Sequence, residues 1–356
     1  MMRNPASLAI VPPLQAESPE FVRDMAACLE RTPHEISPKY FYDAAGSRLF
    51  ERICELPEYY VTRTELDIFA RDVHQMAALV GPNAEIIEFG AGSLVKARLL
   101  LASLRTPRRF IAVDISAEHL YASAAQLQRD FPAVEVIPIV GDFSHIDSLP
   151  FLPPSLPGGR RVGFFPGSTL GNFSTQEARH FLRAASRLLA GGGLLIGIDL
   201  VKAPHLLQKA YNDTAGVTAA FNRNLLVRAN RELGTDFCID AFAHHAFYHP
   251  VLQRVEMHLL CMEPQRVCFS HREFELRRGE TIHTENSQKY TVEGFRDLVV
   301  ASGFQPRALW CDPGRLFSIH WLESSSEERM GRWRGDMEGV GRHLRGLVRR
   351  KEVGED

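Results

Sequence analysis

From residue 84 to residue 200 short apolar runs alternate with helical patterns: AEIIEFG, RRFIAVDIS, VEVIPIVGDF, VGFFPGSTLGN and LLIGIDLV. Runs of that length between helix-length segments predict a parallel sheet covered by helices. The first unit, EIIEFGAGSLVKARLL from Glu85 to Leu100, is a strand, a tight turn through Gly90-Ala91-Gly92 and a helix start. Near the end, PRALWCDPGRLFSIHWL predicts two strands joined at Asp312-Pro313-Gly314. Such a hairpin would complete the sheet and make the segment before it an insertion.

The flanking regions have a different texture. Phe21, Met25 and Leu29 recur at helical spacing within residues 19–33. SPKYFYDAAGSRLFERICELPEYYVTR is dense in tyrosine and turn residues and reads as loop-rich. Between 202 and 289 a polar helix around VTAAFNRNLLVRANREL precedes shorter strand-like pieces such as VEMHLLCM. Residues 1–18 read as a loose leader, broken by Pro12 and Pro13. In residues 324–356, Met330, Trp333, Met337, Val340, Leu344 and Leu347 fit an amphipathic helix, with glycines weakening its propensity.

The glycine turn is a poor dinucleotide fingerprint, because Val95 stands where a third small residue belongs. S-adenosylmethionine suits it better. That molecule carries a sulfonium, an amino acid end, a ribose and an adenine, and no phosphate, so the acid Glu88 before the turn is not out of place. Asp114 ends the second strand, placed for ribose hydroxyls. Asp142 and Phe143 follow the third, an acceptor for an amino group and a ring to stack on adenine. Lys96 in the first helical turn is placed for the methionine carboxylate. After the fourth strand, FFPGSTLGNF brings Gly167, Gly171 and Asn172 to the position facing the transferred methyl. The competing readings are a purely structural turn at Gly90 and Gly92 and a helix cap at Asn172.

A net charge of −2 gives no electrostatic reason to expect nucleic acid or an anionic membrane. No apolar run approaches the roughly 18 residues of a spanning helix. The six cysteines are scattered with no C-x-x-C pair, which points to reduced thiols in a cytoplasm. His244, His245 and His249 cluster without a matching carboxylate or cysteine pattern, so no metal is expected.

Several strings outside the generic core, PKYFYD, GSRLFE, LPEYYVTR, AYND, GVTAAFNRN, TDFCIDAF, VEMHL and HTENSQKY, together with EFGAGSLVK and GSTLGN, resemble the L-histidine Nα-methyltransferases of ergothioneine biosynthesis. The resemblance covers about residues 20 to 323. It implies an α/β fold: a class I, Rossmann-like methyltransferase with an additional α+β substrate-binding domain. The implied division assigns 19–63 and 202–289 to histidine binding and 64–201 and 290–323 to methyl transfer. The implied reaction is trimethylation of the histidine α-amino group to hercynine by a cytoplasmic monomer. Carried over by motif, Tyr59 and Tyr211 hold the substrate carboxylate, and Asn172 and Tyr42 orient the α-amino group. Glu285 and Ser287 read the imidazole with Asn286 between them, and Met257 packs on the ring. Glu88, Gly90, Gly92, Lys96, Asp114, Asp142 and Phe143 match cofactor positions. SLVK, Asn286 and Gln288 depart from the family's usual residues. Two alternatives remain: the same scaffold acting on another amino acid such as tryptophan, and a non-catalytic S-adenosylmethionine-binding protein.

Overall fold

A computed structural model of the chain describes residues 19–149 and 151–324. The expected leader and the amphipathic extension past Ser324 lie outside the described residues. The apolar runs become the parallel strands β2 (Ala84–Phe89), β3 (Arg109–Asp114), β4 (Glu135–Val140), β5 (Arg160–Phe165) and β6 (Gly193–Asp199). β12 (Phe304–Cys311) and β13 (Phe317–Ser324) join antiparallel beside β6, giving a seven-stranded sheet in the order β12-β13-β6-β5-β2-β3-β4. Their turn is tied by Asp312, whose Oδ1 accepts from the Leu316 and Phe317 amides. The strand order reverses at β2, where such sheets open a crevice beyond their carboxyl ends.

β2 is buried at every position, the signature of a strand covered on both faces. One face packs under α6 (Thr175–Leu188) and α9 (Val292–Val300), with Phe89, Phe165 and Phe181 in mutual contact. α6 starts with a capping box: Ser174 accepts from the Glu177 amide while Glu177 accepts from the Ser174 amide. The opposite face packs under α3 (Tyr60–Val80), α4 (Val95–Ser103) and α5 (Ala117–Asp130), with Phe69 edge-on to Phe164 at 5.7 Å. Each buried phenylalanine stabilises the fold by about 1.5–3 kcal/mol.

A second sheet, β1-β11-β8-β7, joins distant parts of the chain. β1 (His34–Glu35) follows α1 (Pro19–Glu30) and pairs with β11 (Thr281–Gln288), which pairs with β8 (Arg254–Cys261), itself paired with β7 (Phe242–His249). α7 (Pro204–Tyr211) and α8 (Val217–Leu233) pack on it, and β9 (Gln265–Phe269) with β10 (Arg272–Leu276) forms a separate hairpin. Its apolar side is continuous with the core under α3.

The stretch read as loop-rich is mostly helical. It holds a 3-10 turn at Pro38–Phe41, α2 (Ala44–Glu55) and the start of α3. Asp43 caps α2 by accepting from the Gly46 amide, so a turn-forming residue marks a helix start here. α3 runs unbroken through residues 63 and 64, where the sequence reading divides the chain. No helix among the described residues is long and apolar enough to cross a membrane, and none of the six cysteines is paired.

Candidate active site

The carboxyl ends of β2–β6 and strands β1, β8 and β11 of the second sheet line one cavity of about 1260 Å³. Every sequence-predicted site residue lines it: Glu88, Gly90, Gly92, Lys96, Asp114, Asp142 and Phe143 from the strand-end side, Asn172 between, and Tyr42, Tyr59, Tyr211, Met257, Glu285, Asn286 and Ser287 from the opposite side.

On the strand-end side the turn after β2 needs glycine. Gly90 has φ +73°, and a Cβ there would lie 3.3 Å from the Phe143 ring. Leu94, at the start of α4, holds φ +57°, a conformation costly for a branched residue and concentrated at functional sites. Asp114 accepts from the amides of Gly92 (3.2 Å) and Ser116 (2.8 Å), which fixes its carboxylate at the cavity rim. Burial raises the Asp114 pKa, with those amides opposing. Burial would also raise Asp142, but hydrogen bonds from Ser144 and the charge of Lys39 outweigh it and hold that carboxyl below its usual range. Glu88 is 3% exposed and burial pushes its pKa well up; its Oε2 has no hydrogen-bond partner among the described residues. Lys96 is ion-paired to the fully buried Glu65 at 2.5 Å, and Glu65 also accepts from the Gly167 amide. The methionine-carboxylate partner expected from sequence therefore already has a carboxylate of its own.

This donor set fits S-adenosylmethionine. A glycine cradle, three carboxylates at successive strand ends and an orphaned buried acceptor match a cation with ribose and adenine hydrogen-bonding groups. They mismatch a pyrophosphate.

On the opposite side Tyr42, Tyr59 and Tyr211 form an aromatic wall with Phe50 and Phe221. Burial raises all three phenol pKa values, so they stay neutral donors. A bulge in β11 between His283 and Glu285 resets the register so that Glu285 stands opposite Met257. Glu285 is pushed up to about 7 by burial, opposed by the charge of Lys289. Asn286 Oδ1 is buried without a hydrogen-bond partner among the described residues. Asn172 ends the 3-10 turn Thr169–Asn172, which β11 overlies so closely that a Cβ on Gly171 would lie 2.9 Å from the Gln288 carbonyl.

The sequence reading missed the polar cluster behind this wall. Asp199, fully buried at the end of β6, pairs with Lys289 at 2.7 Å and with Lys202, and accepts from the Tyr60 hydroxyl. Asp199 is the acid at the end of the fifth strand, and Lys289 sits inside the quoted HTENSQKY; those were the available signals. The expected histidine cluster does not converge: His244 donates to the Tyr211 carbonyl and accepts from Asn222, and His249 accepts from the Leu252 amide. Glu256, His258 and His283 instead bring ligand-type atoms within 4.8 Å of one another. There the two imidazoles stack at 4.6 Å and Arg254 holds the carboxylate.

Known proteins resemble the chain along most of its length. The pattern of the family described as histidine-specific, S-adenosylmethionine-dependent methyltransferase matches residues 21–324. The chain is 39% identical to a histidine N-alpha-methyltransferase of Mycolicibacterium smegmatis and 38% identical to that of Mycobacterium tuberculosis, each over 83% of this chain and 92% of the relative. It is 23% identical to a 4-dimethylallyltryptophan N-methyltransferase of Claviceps purpurea, over 83% of this chain and 92% of the relative. Matched along nearly its whole described length, the chain belongs to the family of histidine-specific, S-adenosylmethionine-dependent methyltransferases.

Proposed function

We propose that this protein transfers methyl groups from S-adenosylmethionine to the α-amino group of L-histidine three times, giving hercynine, the first step of ergothioneine biosynthesis. The observation that carries the reading is the shared cavity: the imidazole-type partners Glu285 and Ser287 face the same space as Gly90, Asp114 and Asn172.

When bound, S-adenosylmethionine supplies an electrophilic methyl on a sulfonium. Asp114 takes the ribose hydroxyls, Asp142 and Phe143 the adenine, Gly90 and Gly92 give backbone approach, Glu88 lies beneath the turn, and Lys96 stands near the methionine end. Tyr59 and Tyr211 donate to the histidine carboxylate. The Asn172 carbonyl and the Tyr42 hydroxyl orient the α-amine, which attacks only when neutral. Tyr42 remains protonated, so it positions the amine rather than acting as its base. Glu285 accepts an imidazole N–H, Ser287 serves the other nitrogen, Asn286 lies between them, and Met257 packs the ring.

The reading includes a cytoplasmic monomer acting on a small molecule, without nucleic acid, membrane or metal. A net charge of −2 and unpaired cysteines support it. Amine attack on a sulfonium methyl needs neither a Lewis acid nor a redox change. An indole offers one N–H and no ring acceptor, which would leave the Ser287 hydroxyl unmatched, so tryptophan fits less well.

Incubation with S-adenosylmethionine and single amino acids, followed by mass spectrometry, tests the reading. Three methyls added to histidine are expected. Methylation of tryptophan with none on histidine would replace the substrate, and cofactor binding with no methylation would make the protein a binder.

A further inference from the structure

Glu65 lies on α3, behind the cavity wall, and is fully buried. β6 makes room for it: a side chain on Gly197 would collide with Glu65 Oε1. Both Glu65 oxygens accept from the Gly167 amide, at 3.0 and 2.9 Å, and Oε2 pairs with Lys96 Nζ at 2.5 Å. Gly167, at φ +79°, lets the ammonium come close, since a Cβ there would lie 3.4 Å from Lys96 Nζ. Gly167 and Lys96 both line the cavity. One carboxylate from a remote helix therefore stands behind two groups of the cofactor side and holds both.

Packing alone does not call for this pair, because apolar groups of the same shape often serve as well as a buried ion pair. Nor do the neighbouring acids replace Glu65 as the partner of Lys96. Glu88 is pushed well up by burial, Asp142 shares Lys39, and Asp114 accepts from the Gly92 and Ser116 amides. S-adenosylmethionine brings a sulfonium, an ammonium and a carboxylate. Set with Lys96, Glu65 and Asp114, those charges cancel. S-adenosylhomocysteine has a neutral thioether in place of the sulfonium, and one negative charge is then in excess. Without Glu65 the order reverses: the spent cofactor completes a neutral set, and the fresh one leaves an excess positive charge.

We propose that Glu65, acting through Lys96 and the Gly167 amide, is a positioning residue that sets the cofactor site for the charged methyl donor and against its neutral product. This deepens the cofactor reading above and rests on it. Each histidine consumes three donors in that reading, so spent cofactor has to leave between transfers, and the excess negative charge favours the exchange.

Calorimetry on the full chain without histidine tests the inference through the ratio of two dissociation constants, S-adenosylmethionine over S-adenosylhomocysteine. Glu65→Gln keeps the shape and an oxygen for the Gly167 amide and removes the charge. A full charge within about 12 Å, at an effective dielectric of about 20, changes the affinity for a cation by roughly tenfold. The ratio should rise by roughly that factor in Glu65→Gln, and inhibition by S-adenosylhomocysteine should tighten equally against the KM for S-adenosylmethionine. Lys96→Met removes the opposite charge. It should weaken both ligands through loss of the carboxylate's partner, yet lower the ratio. In the Glu65→Gln/Lys96→Met pair the ratio should return to within a few-fold of the wild type. A purely structural tie would weaken both ligands alike, so an unchanged ratio in either single variant overturns the inference and leaves the cofactor reading intact. Should one single variant not fold, the other carries the test, because their shifts have opposite signs. A wild type that binds neither molecule overturns both the cofactor reading and the inference.

Discussion

The strand-end wall of the cavity takes its groups from three adjacent strands, with Glu88 and Gly90 at β2, Asp114 at β3 and Asp142 after β4. The wall facing it draws Tyr42 and Tyr59 from the N-terminal segment, Tyr211 from α7, and Met257 and Glu285 from β8 and β11. The first wall is held mainly by backbone amides and glycine turns. The second is held by a buried cluster of one carboxylate, two ammonium groups and three hydroxyls. A wall built from strand ends inherits its geometry from the sheet. A wall assembled from remote segments has to be locked by charge, and its failure should be global rather than local.

The largest expected effect follows from that contrast. Asp199→Ala leaves Lys289 and Lys202 buried without their carboxylate and should lower the unfolding free energy by about 3–5 kcal/mol, measured by denaturant titration. Asp114→Ala, at the rim, should barely change it. Equal losses from the two would erase the distinction between the walls.

Glu285 makes the second wall pH-sensitive. Its carboxyl rises from 4.5 to about 7 in the folded protein, so its favourable contribution is complete below pH 4.5 and is lost as pH rises through about 7. Relative to Glu285→Gln, the unliganded wild type should lose about 3 kcal/mol of stability across that window. Parallel stability curves for the two proteins would show that Glu285 is not buried as described.

Calorimetry separates the walls by ligand. Asp114→Ala should weaken cofactor binding roughly 30- to 100-fold, and Glu285→Ala should weaken histidine binding by roughly 10- to 100-fold. Each should leave the other ligand within a few-fold. Loss of both ligands in Glu285→Ala would contradict the site assignment.

The smallest effect probes the seam. In Gly171→Ala the new methyl meets the Gln288 carbonyl at 2.9 Å and the Gln288 amide at 3.3 Å, pushing β11 away from Asn172. Overpacking of this kind costs about 1–3 kcal/mol. We expect kcat/KM for histidine to fall by about tenfold with cofactor affinity unchanged. Unaltered kinetics would mean that the spacing between Asn172 and β11 does not matter.

The sheet was legible because each parallel strand is a largely apolar run closed by Gly, Asp or Pro, a pattern set by residues near in sequence. The Asp312 turn was legible for the same reason. α2 was not, since its capping Asp43 and its Gly46 are also turn residues and only packing decides between the two uses. Glu65, Asp199, Lys202 and Lys289 were passed over because a charged side chain in sequence is usually a solvated one. Lys202 does lie three residues after Asp199, but Glu65 and Lys289 meet their partners Lys96 and Asp199 from remote segments, which no local pattern records.

By itself, then, the amino-acid order determined the alternation of strands and helices, the glycine turn and the acids at strand ends, because local periodicity and backbone freedom suffice for them. Tertiary structure alone decided that Asp199 meets Lys289, that Lys96 belongs to Glu65, and that β1 and β11 pair. Those outcomes depend on groups far apart in the chain meeting where water is excluded, and there a single hydrogen bond or ion pair fixes an orientation that no local pattern records.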